Sequence, residues 1–401
     1  MNVLMWSDSG PLDPNQCPNW NSKEFLDLHW LSTSIENQLK QHGIADYLII
    51  ITEFSNHNLL DYIATFNEKN IIIIQTDHLH HSNLLRQVIF HSDNSYTVPF
   101  LISDTITNFV KAATSNPSKN IVFYSLVANL DRETSQVTLP NNLLIKHLSI
   151  GNLFHKTCEY INSTPVSKKN PNAKTFICLN NANRPHRTAL VAYLISKELD
   201  GYISCINWDT DPTVGCFLDW CFGEVHSSIA DSINDGITKF KHTKLLDLPC
   251  VGNPVENYNS VLSTIFHDTY VEIISDTTFL EPSAFLNDKY VNTILGANFP
   301  IFVSSSGTVE QLRQLGFDMF DDVIDHSYDT MTDHALRLAN AVDLNIRLLT
   351  DTEYTKQLWY KHHDRFIKNQ QYFNNEFKQQ CATWVIPILA SGVYELYKKL
   401  K

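Results

Sequence analysis

No run of apolar residues in this chain approaches the eighteen or so that would cross a bilayer, although 43% of its 401 residues are hydrophobic. A membrane span is therefore not expected. The opening residues, MNVLMWSDSG, lack the basic, long-apolar and small-residue plan of a secretory signal, so the chain reads as cytoplasmic. Positive charge is scarce: 30 lysines and arginines face 43 aspartates and glutamates, for a formal net charge of −13. A field of that sign repels a polyphosphate backbone at long range and disfavours tight non-specific nucleic-acid binding, leaving room only for a local basic cleft. The 8 cysteines form no CxxC pair, and several sit in apolar runs, which favours buried thiols over disulfides or a zinc site. Internal repeats and low-complexity tracts are absent too.

What the chain does have is length for two domains and an alternation of strand and helix patterns. In the first half, 2–6, 47–52, 71–76 and 121–126 are short apolar runs suited to strands, and 23–41 and 58–66 carry helical patterns. Continuous apolar strands separated by helices indicate a parallel sheet covered on both faces. The polar stretch 163–173, STPVSKKNPNA, interrupts the pattern and reads as a linker. Strand patterns resume at 175–179, 201–206, 270–275 and 299–304, and a long polar helix is expected over 354–379. The expected fold is thus α/β, with two Rossmann-like, doubly wound domains facing a cleft. Residues 1–165 form the first and 174–380 the second, and 381–401 form an amphipathic helix that crosses back to the first.

Ligands of doubly wound sheets bind in the crevice at the carboxyl ends of the strands. The first such loop of the second domain is LNNANRPHR, 179–187, immediately before a helix. Arg184, His186 and Arg187 there combine guanidinium forks with a helix N-terminus, which suits a diphosphate, although two arginines can also simply solvate a loop. Lys289 opens a second helix, and the turn 304–308, SSSGT, precedes a third, with Ser306 and Gly307 offering a hydroxyl and bare backbone to an anion.

These segments carry a resemblance. The stretches KTFICLNNANRPHRTALVAYLISKELDGYIS from 174, VEIISDT at 271–277, and 285–329 ending LGFDMFDDVIDHSYD resemble viral, phage and bacterial glycosyltransferases of the GT-B architecture. The sugar-nucleotide domain of that family is similar to that of fucosyltransferases, and the likeness covers 174 to about 340. It implies a nucleotide-diphosphate sugar as donor, ribose contact by Asp288 and phosphate contact by Lys289. The family commonly has glutamate where this chain has Asp276, and threonine where it has Asn287. By the same resemblance, Arg184, Arg187 and Lys289 would stabilise the leaving diphosphate, with no obligatory metal or other cofactor.

An inverting transfer of a hexosyl or pentosyl group also needs a base for the acceptor hydroxyl. Asp8, after the first strand, is the first candidate by position, with Asp77 and His78 next. Asp209-Thr210-Asp211 spells a DxD but reads as a solvated turn, so no metal site is assigned. Trp208, Tyr202 and Phe279 lie near strand ends, where stacking on a base and core packing are equally open. The expected partners are the nucleotide sugar and an acceptor, either a glycan or a hydroxymethylated DNA base. The second is disfavoured by the excess of acid over base in the first 165 residues. A binding protein that keeps the fold without chemistry is the alternative.

Overall fold

The computed structural model describes residues 3–7, 10–12, 26–52, 63–75, 89–90, 96–97, 104–125, 137–147, 160, 163–180, 184–205, 226–240, 254–276, 279 and 288–400. The chain divides into two compact units, Met1–Glu159 with Glu376–Lys401, and Tyr160–Asn375. No helix among the described residues is long and apolar enough to cross a membrane.

Unit 1 holds a sheet in the order β2-β1-β3-β4-β7-β8. Its strands are β1 (Val3–Ser7), β2 (Gly10–Leu12), β3 (Tyr47–Thr52), β4 (Asn70–Gln75), β7 (Asn120–Ser125) and β8 (Leu143–His147), while β5 (Ile89–Phe90) and β6 (Tyr96–Thr97) pair separately. All pairings in the large sheet are parallel except that of β2 with β1. From β1 to β8 the strands follow chain order, so the described sheet has no reversal and does not show the doubly wound arrangement expected for this half. Burial on both faces explains the unbroken apolar runs. Ile49, Ile72, Ile74, Val122 and Tyr124 face Ile35 and Leu39 of α1 (Leu26–Gln41) and four residues of the terminal helix Lys378–Leu400: Val385, Leu389, Val393 and Leu396. Phe123, pointing the other way, stacks on Phe109 of α2 (Asp104–Ser115), with ring centroids 4.1 Å apart.

Unit 2 is built on four parallel strands in the order β10-β9-β11-β12: β9 (Lys174–Cys178), β10 (Tyr202–Ile203), β11 (Thr269–Ser275) and β12 (Phe299–Val303). Here the order does reverse. From β9 the chain passes through α3 (Pro185–Ser196) to β10 on one side, then through α4 (Ser227–Phe240) and α5 (Ser263–His267) to β11 on the other side of β9. It continues outward through α6 (Asp288–Gly296) to β12. With right-handed crossovers, the rule for such units, the two opposite directions put α3 and α6 on opposite faces, and the reversal between β9 and β11 is the point at which sheets of this kind receive ligands at their carboxyl ends.

Two expectations need correction. Residues 163–173 are not a linker: they are packed into unit 2. The Val166 amide donates to the Leu295 carbonyl at 2.7 Å, and Lys169 Nζ donates to the carbonyls of Phe266 (2.7 Å) and Gly296 (2.8 Å) and to Asn298 Oδ1. An ammonium there meets the negative ends of α5 and α6, so a stretch with linker composition becomes a buried brace. The single helix expected over 354–379 is interrupted. Following α7 (Thr308–Gln314) and α8 (His334–Asp343), α9 (Thr352–Lys361) and α10 (His363–Gln371) meet at His362, and a π-helical turn over Tyr372–Phe377 follows.

Candidate functional site

The carboxyl ends of β9 and β11 gather the six donor-site candidates Arg184, His186, Arg187, Asp276, Asp288 and Lys289. Arg184 precedes α3 with an extended backbone, and its carbonyl accepts from the amides of Arg187 and Thr188 at 2.9 and 3.1 Å. Pro185 opens the helix, where its missing N–H costs nothing and its fixed φ suits the first turn. Two side chains of that turn reach across to the end of β11. Arg187 donates from Nε (3.2 Å) and one terminal nitrogen (3.0 Å) to the Asp276 carbonyl, and His186 Nε2 lies 3.0 Å from the same oxygen. The His186 ring stacks on Phe279, with centroids 5.1 Å apart, so Phe279 is a buried packing partner.

Asp276 is fully buried and joins the two faces of the sheet. Its carbonyl serves α3, and its carboxylate accepts the hydroxyl of Tyr290 from α6. One residue before Tyr290, half-buried Lys289 enters the same field, with Asp288 beside it in the first turn of α6.

The electrostatics are those of positive charge in excess. Burial, and then Arg184, pulls the Arg187 guanidinium down to about 10, with Asp276 and Asp288 acting the other way. Burial and Arg187 likewise lower Lys289, again against Asp288 and Asp276. His186 is held well below its usual range by burial and by Arg187, so it is neutral. Arg187 thus feels Arg184 as repulsion and Lys289 feels both, and an anion among them would relieve it. Three buried oxygens at the ends of adjacent strands, Asn180 Oδ1, Ser275 Oγ and Ser305 Oγ, have no hydrogen-bond partner among the described residues.

The SSSGT turn is arranged differently from the expectation. Gly307 precedes α7 at φ 83°, a left-handed backbone that glycine adopts without strain. The Ser306 hydroxyl and the Gly307 amide both donate to the Asp329 carbonyl at 2.9 Å, and the Asp329 carboxylate accepts from the amides of Val309 (3.1 Å) and Glu310 (3.3 Å). An internal carboxylate therefore takes the amides of Val309 and Glu310 at the start of α7, while Ser306 and Gly307 are committed to the Asp329 backbone carbonyl. Nothing in the linear order linked Asp329 to a turn twenty residues earlier. Glu272, an acid inside the buried strand β11, and Tyr290 also bear on the site. A lone acid in an apolar strand was a readable signal; Tyr290 carried none.

Asp8, Asp77, His78, Trp208, Asp209 and Asp211 lie outside the described residues. Tyr202, in β10, sits under Lys174 Nζ, 5.1 Å from its ring centroid. Cys178 and Cys381 are buried thiols, and burial pushes Cys178 up to about 12. No protein-family model, curated protein or solved structure matches the chain.

Proposed function

We propose that unit 2 holds the diphosphate of a nucleotide-diphosphate sugar and that the protein is a metal-independent glycosyltransferase. The observation that carries this reading is the meeting of Arg184, Arg187 and Lys289 at the carboxyl ends of β9 and β11, where their charges repel one another and two aspartates leave an excess of positive charge. Such a cluster suits a ligand with two adjacent anionic groups, and the reversal of strand order is where open α/β sheets receive nucleotides. Departure of a nucleoside diphosphate leaves negative charge on its terminal phosphate. Preorganised cations stabilise that charge as it develops and can do so without a divalent ion. His186 keeps Arg187 in register through their shared acceptor and, being neutral, adds no further repulsion. The proposed acceptor is a glycan hydroxyl, because the net charge of −13 opposes a DNA substrate.

The test is calorimetric titration with nucleoside diphosphates and their sugars, with transfer assayed in excess EDTA. Arg187→Ala and Lys289→Ala should each weaken donor binding tenfold or more, since a charge-assisted hydrogen bond contributes about 1.5–3 kcal/mol. Undiminished affinity in both variants, or activity restored only by a divalent ion, would remove the reading. Slow donor hydrolysis without acceptor separates an enzyme from a binding protein of the same fold, which would show none.

A further inference from the structure

Behind the cations lies a second polar pair that donor binding does not require. Glu272, midway along β11, is 4% exposed, and its carboxylate meets the hydroxyl of Thr293, which is 3% exposed on α6. The same Thr293 oxygen lies 2.9 Å from the Lys289 carbonyl. A hydroxyl has one proton and cannot donate to both acceptors. With Glu272 ionised, Thr293 donates to the carboxylate and the Lys289 carbonyl loses this donor. With Glu272 protonated, its O–H donates to Thr293 Oγ1, and Thr293 donates onward to Lys289. One proton thereby completes a chain that ends on the backbone of the lysine assigned to phosphate.

We propose that Glu272 and Thr293 form a proton-holding pair that governs how much of the Lys289 charge an anionic ligand can use, so that binding the ligand takes up a proton at Glu272. The inference rests on the anion site proposed above and adds its regulation. Three ionisable groups face Glu272: Lys289 and Asp288 from α6, and, from the segment before β9, Lys169, which burial holds well below the usual lysine range against Glu272 and Asp268. Lys169 is already committed to three oxygens of its own. Tyr258 and Cys178 also feel the carboxylate; both are raised, chiefly by burial, and neutral. Lys289 acts on Glu272 more strongly than Lys169 does, and it is the charge that Glu272 and a ligand would share. Burial pushes Glu272 up to about 7, with Thr293, Lys289 and Lys169 opposing, which puts its titration near neutral pH. An anion on Lys289 cancels part of the field that keeps Glu272 ionised, and the carboxylate then takes up a proton. The sign follows: affinity for the anion is full below the Glu272 midpoint and declines as pH rises through it.

Sulfate is the probe, because it stays fully ionised across the range. Its affinity is read from thermal-shift titrations at pH 6, 7 and 8 at constant ionic strength, on the full chain and on E272Q, T293V and K289M. If ligand charge raises Glu272 by about one pK unit, wild-type affinity falls roughly fivefold from pH 6 to pH 8. E272Q should hold the pH 6 affinity throughout, and K289M should bind several-fold more weakly at every pH. Equal pH slopes in wild type and E272Q, with K289M still weak, would overturn this proposal and leave the anion site standing. Sulfate binding indifferent to K289M would overturn both. T293V keeps the question open to test should E272Q not fold: it removes the hydroxyl that favours the carboxylate, so the midpoint should move to higher pH, and an unmoved midpoint would refute the pair.

Discussion

Arg337 shows how a single side chain can brace loops that are far apart in sequence. It is buried in α8 and donates to three backbone carbonyls: Ser304 after β12 (3.0 Å), Met331 (2.6 Å) and Phe279 after β11 (2.6 Å). Its guanidinium also stacks over Phe279, 4.7 Å from the ring centroid, and donates to His334 Nδ1 at 2.8 Å. Replacing it with methionine keeps the bulk and removes these donors together. Arg337→Met should cost about 3 kcal/mol or more, read as a lowered denaturant midpoint with the slope unchanged. The same contact makes a pH prediction. Burial, with Arg337 beside it, holds His334 down at about 4, against 6.5 for a free histidine. The unfolded chain therefore binds the proton first, and stability should be lost as pH falls from about 6.5 towards 4. His334→Asn should flatten that part of the pH–stability curve.

At the scale of elements, packing distance decides what is tolerated. Gly236 of α4 lies so close to α3 that a Cβ there would sit 1.9 Å from the Ala192 carbonyl oxygen. Gly236→Ala must push the helices apart, at about 1–3 kcal/mol for an overpacked contact, and circular dichroism melts should show the loss. Gly392 does the same for the terminal helix: it makes room for the Tyr124 hydroxyl, which donates to the Leu389 carbonyl at 2.8 Å. Legibility followed the same division between local pattern and close approach. Tyr47–Thr52 could be read to the residue, because Leu48 to Ile51 is an unbroken apolar run and both faces of the sheet are covered. The join at His362 could not: it has no Gly or Pro, and Trp359, His362, Phe366, Asn369, Phe373 and Phe377 keep a helical spacing of buried residues through the join and the π turn. Arg184, His186, Arg187 and Lys289 were legible as candidates because strand-end loops before helices advertise themselves. That the SSSGT turn is closed by Asp329, and that Lys169 is buried, depended on partners 20 and about 100 residues away.

At the scale of the whole molecule, unit 1 is discontinuous, and its core draws on both ends of the chain. Val385, Leu389, Val393 and Leu396 are buried against β3, β4 and β7. Each contributes about 1.5–3 kcal/mol by burial, so their sum rivals the ~5–15 kcal/mol that holds a typical domain together. Removing residues 376–401 should therefore unfold unit 1, seen as loss of its thermal transition and gain of dye-binding apolar surface, and retention of both folded units would contradict this account. The same arrangement fixes a timetable during synthesis. Residues 1–159 leave the ribosome first, yet the helix that closes their core emerges more than two hundred residues later, a wait of roughly 10–45 s at ordinary translation rates. The second unit is complete before then, so the half of the protein made first is the half finished last. Its exposed Ile-rich strands are the segment for which a nascent-chain chaperone would have the longest opportunity.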